Sequence, residues 1–124
     1  MSALGFRKIL GARGEELAVD FLQQNGYRIL AKNFSNRMGE IDLIAERAKE
    51  LHFIEVKTRS DNNFFEPEEA VDFRKQSKIR KVAQVFLSNS GARFSGHDIY
   101  LDVIAVIVSP AGGSPVIKHL IGAF

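Results

Sequence analysis

Among its 124 residues the chain has no cysteine, no tryptophan and only three prolines. The lack of cysteine removes disulfides, thiolate metal sites and thiol nucleophiles together. With no tryptophan and two tyrosines, the chain is a poor fit to a single-strand binder that stacks bases on aromatic platforms. No stretch approaches the ~20 apolar residues of a membrane span. Met1 to Leu10 carries Arg7 and Lys8 and lacks an apolar core of signal-peptide length. The expectation is a cytoplasmic protein with no membrane partner. Repeats, low-complexity tracts and Pro/Gly/Ser linkers are missing too, so one domain over 1–124 is expected. The net charge of +2 is too small to argue for nucleic-acid binding by itself.

What is present is an ordinary globular composition with clear periodicities. Leu10, Leu17, Ala18, Phe21 and Leu22 form an apolar stripe at helical spacing, and Asn25-Gly26 is a helix stop, which predicts a helix over Phe6 to Gln24. Tyr27 to Lys32 reads as a strand and Asn33 to Gly39 as a turn. Glu40 to Glu46 alternates, with Ile41, Leu43 and Ala45 on one side and Asp42 and Ile44 on the other. Leu51 to Thr58 puts Glu55 and Lys57 on one face and His52, Ile54 and Val56 on the opposite one. The short polar link Arg47 to Glu50 makes these two a hairpin. Arg59 to Glu66 reads as a mobile loop. A second helix is expected from the cap Asp72, with Ile79, Val82, Ala83, Phe86 and Leu87 inward. Asp98 to Ser109 and Val116 to Leu120 are the last strands. The order α-β-β-β-α-β-β gives an α/β fold, a central mixed sheet flanked by helices.

Chemistry enters with charges in unfavourable places. Asp and Glu are poor strand residues, and an unpaired carboxylate in a sheet is costly. Yet Asp42 and Glu55 sit in apolar strands that pair as a hairpin. If the register sets Asp42 opposite Glu55, two hard oxygen ligands share one small site suited to Mg²⁺ or Mn²⁺. Lys57 projects from the Glu55 face two residues on. A solvated sheet face explains the same residues, and spacing alone does not separate the two. Arg74, Lys75, Lys78, Arg80 and Lys81 crowd one stretch of the second helix, behind Glu66, Glu68, Glu69 and Asp72. That run is either a solvated helix face or a phosphate-binding one. Asp102 is expected to pair with a basic side chain rather than to ligate. His52, His97 and His119 show no metal-ligand spacing, so structural or surface roles are expected.

Gly39-Glu40-Ile41-Asp42, twelve residues, then Glu55-Val56-Lys57 resembles the PD-(D/E)XK signature of restriction-endonuclease-like and Holliday-junction-resolvase-like nucleases. It is closer still to the YraN-like family of small bacterial proteins in that superfamily. Gly11-x-x-Gly14-Glu15, Asn33, Phe53 to Arg59, Ala70-Val71, Lys75, Leu101-Asp102-Val103 and His119-x-x-x-Ala123-Phe124 extend the likeness over nearly the whole chain. Phe64-Phe65 departs from it, because the family usually has Phe-Gly there; loop geometry does not carry over.

The resemblance implies a restriction-endonuclease-like core and a metal-dependent endonuclease that hydrolyses DNA phosphodiester bonds, with branched or nicked DNA as candidate substrates. Asp42 and Glu55 would hold Mg²⁺ or Mn²⁺ with the Val56 backbone carbonyl, and Glu15 would contribute from the first helix. Lys57 would orient or deprotonate water and offset transition-state charge. Lys75 is a candidate phosphate contact there; with Arg74 and Lys78 it also lies in the outward-facing basic run near the start of the second helix, so all three are expected to contact nucleic acid. Asn33 and Arg37 are assigned to the turn before Asp42, and Glu40 is placed on the far strand face, outside the metal site. A second copy of the chain, and repair or recombination proteins, are further candidate partners. The alternative is a non-catalytic nucleic-acid-binding or interaction module that keeps the fold.

Overall fold

A computed structural model describes residues 3–60, 72–109 and 112–124, with side chains from Leu10 onward. The elements are α1 (Ala3–Gln24), β1 (Arg28–Asn36), β2 (Gly39–Arg47), β3 (Glu50–Ser60), α2 (Phe73–Ser88), β4 (Asp98–Val108) and β5 (Val116–Leu120). Their order is the expected one. The five strands form one sheet in sequence order, antiparallel except for the parallel β3–β4 pair. Two parallel neighbours need a crossover, and α2 lies within it. The mixed sheet with a helix on each face is the architecture of a restriction-endonuclease-like core.

Each face has its own core. Ile79, Val82 and Ala83 of α2 pack on Ile41, Ile44, Leu51, Phe53 and Val103. Ala18, Val19 and Leu22 of α1 pack on Leu43, Ala45, Ile54, Ile104 and Val106. Alternation along β3 and β4 therefore feeds both layers, as a sheet buried on both sides requires. The α1 layer is drawn in at Gly14, where an added Cβ would lie 1.8 Å from the Thr58 hydroxyl oxygen. Glycine is needed there for close approach, and the next residue, Glu15, is carried toward the end of β3.

Three local expectations need correction. The first turn is shorter than Asn33 to Gly39, because β1 runs to Asn36 and only Arg37-Met38 turn. The Asn36 side-chain oxygen accepts the Met38 N–H at 2.8 Å and closes that turn. Asn33 remains in the strand at φ 51°, a left-handed angle that asparagine tolerates. Ile41 does not share a side with Leu43 and Ala45: it packs with Ile44 under α2, so the alternation breaks at Asp42. The α1 helix also begins earlier, at Ala3. The cap at Asp72 stands, its carboxylate accepting the Lys75 N–H at 2.8 Å. Most of the expected Arg59–Glu66 loop, the Phe64-Phe65 and Ala70-Val71 positions and the acidic residues before Asp72 lie outside the described residues.

Candidate functional site

The break in alternation marks the site. The β2–β3 ladder runs from Arg47↔Glu50 to Leu43↔Ile54. Beyond it, the Val56 N–H donates to the Asp42 carboxylate at 2.8 Å instead of to a strand carbonyl. The side chain of Asp42 thus stands in for backbone pairing, and it arrives beside Glu55, whose charge acts on it. Glu55 is only 5% exposed. Burial first, and the neighbouring Glu55 charge second, push the Asp42 carboxyl up to about 7, against the opposing Val56 N–H. Burial beside a like charge makes Asp42 favour a bound proton or a nearby cation.

Glu15 closes the acidic side from α1. Burial, then the charges of Glu40 and Glu55, raise its carboxyl despite a hydrogen bond from Asn33. With its amide turned to satisfy both neighbours, Asn33 donates to Glu40 at 3.0 Å and to Glu15 at 2.9 Å. Asn33 therefore ties two carboxylates together, which the assignment to a turn did not foresee. The placement of Glu40 away from the site is also corrected. Glu40 borders the cluster through Asn33, and its charge acts on Glu15.

Two lysines supply the opposite charge. Lys57, on β3, reaches the Glu55 carboxylate at 3.5 Å and is 17% exposed. Burial, and then the adjacent Lys75 ammonium, lower its pKa. Lys75, in the first turn of α2, has its ammonium directly on the same Glu55 oxygen. Burial alone would lower Lys75, but the hydrogen bond and charge of Glu55 outweigh it and raise its pKa. Arg74 and Lys78 are exposed on the same helix and do not enter the cluster. The structure thus brings Glu15, Asp42, Glu55, Lys57 and Lys75 together. At Val56 it is the N–H that is engaged.

A second cluster escaped the sequence reading. His52 and His119 both hydrogen-bond the same Asp102 oxygen, at 2.6 and 2.7 Å, and the other Asp102 oxygen accepts the Gly122 N–H at 2.9 Å. His52 and Asp102 are fully buried. The second His52 nitrogen meets Glu50 at 3.0 Å. A carboxylate accepts, so the protonated ring can donate to both partners at once, and this pair of bonds favours the charged form. Burial opposes that charge, but the bonds to Asp102 and Glu50 prevail and raise the His52 pKa. The expected pairing of Asp102 with a basic partner is present, twice over. The three side chains could also hold a metal ion, since one ligand atom from each lies within 4.8 Å of the others. The available signal was Asp102 itself, a carboxylate in an otherwise apolar strand. Nothing in the spacing of residues 52, 102 and 119 pointed to their meeting. His97 pairs separately with Glu46 at 2.7 Å.

The model of the uncharacterised protein family UPF0102, the YraN family, matches residues 14–106. The chain belongs to UPF0102. The matched span includes Glu15, Asp42, Glu55, Lys57, Lys75 and Asp102. Among UPF0102 proteins, that of Caldanaerobacter subterraneus subsp. tengcongensis is 43% identical over 119 residues, covering 95% of this chain and 96% of the relative. That of Nocardia farcinica is 42% identical over 124 residues, covering 100% and 95%. That of Caldicellulosiruptor bescii is 46% identical over 104 residues, covering 82% and 84%. No helix among the described residues is long and apolar enough to cross a membrane.

Proposed function

We propose that the protein is a divalent-metal-dependent endonuclease acting on DNA. The observation that carries this reading is the Asp42–Glu55 carboxyl pair, built where β2 and β3 part and flanked by Lys57. An acidic cluster that crowds Asp42 up to about 7 fits a hard divalent cation, because such an ion removes the repulsion that a proton now relieves. Asp42 and Glu55 would hold it, with Glu15 contributing from α1. When bound, the cation supplies Lewis acidity toward a phosphoryl oxygen and acidifies water. Lys57, fixed on β3, offsets charge that develops on the phosphate as the attacking oxygen adds and the ester oxygen leaves. The leaving oxygen takes up a proton, and strand ends carrying a phosphate and a hydroxyl result.

Purified protein is to be incubated with linear, nicked, flapped and four-way DNA, with Mg²⁺, Mn²⁺ or chelator. Metal-dependent cleavage of at least one substrate is expected. Calorimetry should find a Mn²⁺ site that Asp42→Ala or Glu55→Ala abolishes, and wild-type affinity should be higher at pH 8 than at pH 6, as Asp42 ionises. Equal affinity in wild type and both variants would remove the metal from this cluster. Cleavage-free binding of DNA would favour the alternative, a nucleic-acid-binding module that retains the nuclease fold.

The start of α2 offers the duplex a grip. Arg74, in the first turn, and Lys78, one turn further on, are exposed, and the helix N-terminus itself favours phosphate. Phe73 beside them is 82% exposed. Removing one side chain that neutralises a phosphate of duplex DNA should reduce the slope of log affinity against log salt by about 0.9. Arg74→Ala and Lys78→Ala should each flatten that slope while leaving Mn²⁺ affinity in place. A slope equal to that of the wild type in both variants assigns these charges to solvent.

A further inference from the structure

We infer that Lys75 is the resident counter-ion of the carboxylate site, that it yields its place to the divalent cation, and that it then binds the phosphate of the substrate. The inference rests on the nuclease reading and adds an order of events to it.

The two lysines at Glu55 are not equivalent. Lys57 is on the central strand β3, 17% exposed and confined. Lys75 is on a surface helix, with its backbone N–H fixed on Asp72 at 2.8 Å and its side chain 43% exposed. Its ammonium comes in from the solvent side and rests on the buried Glu55 oxygen. Asp42 also attracts it electrostatically. Lys75 thus occupies one carboxylate of the pair that would hold the cation, and it is the one that can withdraw without disturbing the sheet. A lysine ammonium is a compact charge on a flexible stem, well suited to such a change of partner.

A divalent ion at Asp42 and Glu55 would compete for the Lys75 partner and repel its charge at short range. Lys57 is the less exposed of the two lysines and is carried by the central strand, so the repulsion is relieved through Lys75. Withdrawal toward solvent takes the ammonium to the end of α2 that carries Arg74 and Lys78, where a DNA phosphate is the nearest replacement for Glu55. In the absence of metal the same lysine neutralises Glu55 and limits the repulsion among Glu15, Asp42 and Glu55. Lys75 is a positioning residue in the first state and a phosphate ligand in the second.

The test is Mn²⁺ calorimetry on the wild type, Lys75→Met, Lys75→Gln and Lys81→Met, with thermal unfolding in chelator and in Mn²⁺. Lys81 is exposed on the same helix and controls for the loss of one positive charge. Both Lys75 variants should bind Mn²⁺ about tenfold tighter than the wild type, melt earlier in chelator, and gain more from added Mn²⁺. Lys81→Met should change affinity far less. In Mn²⁺ both Lys75 variants should bind duplex DNA more weakly, with little change in chelator. Unchanged or weaker Mn²⁺ affinity in folded Lys75 variants, or an equal gain in Lys81→Met, overturns the counter-ion role. A DNA defect of the same size in chelator overturns the exchange. Intact, Glu55-dependent Mn²⁺ binding beside either result leaves the nuclease reading standing; no Mn²⁺ binding by any form sinks both.

Discussion

Lys57→Ala is expected to lower metal-dependent DNA cleavage by about 10²–10³-fold, the usual cost of removing one fixed group that stabilises transition-state charge. Metal and DNA affinity should largely survive, because Lys57 faces the Glu55 oxygen rather than the open end of α2. The loss should therefore fall on kcat and not on KM. Lys57→Arg should recover little, since a planar fork does not occupy the place of a compact, mostly buried ammonium beside Glu55. Cleavage at the wild-type rate by Lys57→Ala would take this lysine out of the mechanism and leave Lys75 as the cation at Glu55.

The largest effect on stability is expected from Asp102→Ala. Its carboxylate pairs with His52, His119 and Gly122, and its removal leaves the buried His52 ring without the partner that favours its charged form. Breaking a buried ion pair from one side costs about 3–5 kcal/mol, a large share of the stability of a domain this size. Denaturant unfolding with metal absent is the measurement. A loss under about 1 kcal/mol, the scale of an exposed ion pair, would show that the network contributes little. The same network sets a pH window. Burial would raise the Asp102 carboxyl, but the bonds from His119 and His52 lower it below its ordinary 3.8. Its stabilising share is present above that value and lost as pH falls through the lowered pKa. The raised His52 pKa contributes fully below its ordinary 6.5 and is lost as pH rises through the folded value. This cluster therefore supports the fold most strongly between about 4 and 6.5, and Asp102→Asn should flatten the acid side of the stability profile.

The sequence carried the element order and the reactive hairpin because both depend on local periodicity. Alternation along β3 put Glu55 and Lys57 together, and the helical stripe from Ile79 to Leu87 fixed which side of α2 faces the sheet. It could not carry what depends on strands separating. The shift of Ile41 to the other layer, the Asp42 bond to Val56 and the bridging role of Asn33 all follow from a break in alternation that no composition signals. Lys75 could be placed on the helix, but not on Glu55, since that depends on how α2 docks. The His52–Asp102–His119 cluster lay further out of reach. It joins β3, β4 and β5 across the parallel pairing, and that pairing involves residues about fifty positions apart.

The β3 strand carries Glu55 and Lys57 toward one helix and His52 toward the other, and this constrains the length of the chain more tightly than its composition. Substitution at either set damages one cluster. A one-residue deletion between His52 and Glu55 would instead invert every side chain beyond it. It would put the Glu55 carboxylate under α1 and an apolar side chain at the metal position. Insertions and deletions in this family should therefore concentrate in connecting segments, such as the turn at Ala48-Lys49 and residues 109–115, and spare the stretch from His52 to Lys57.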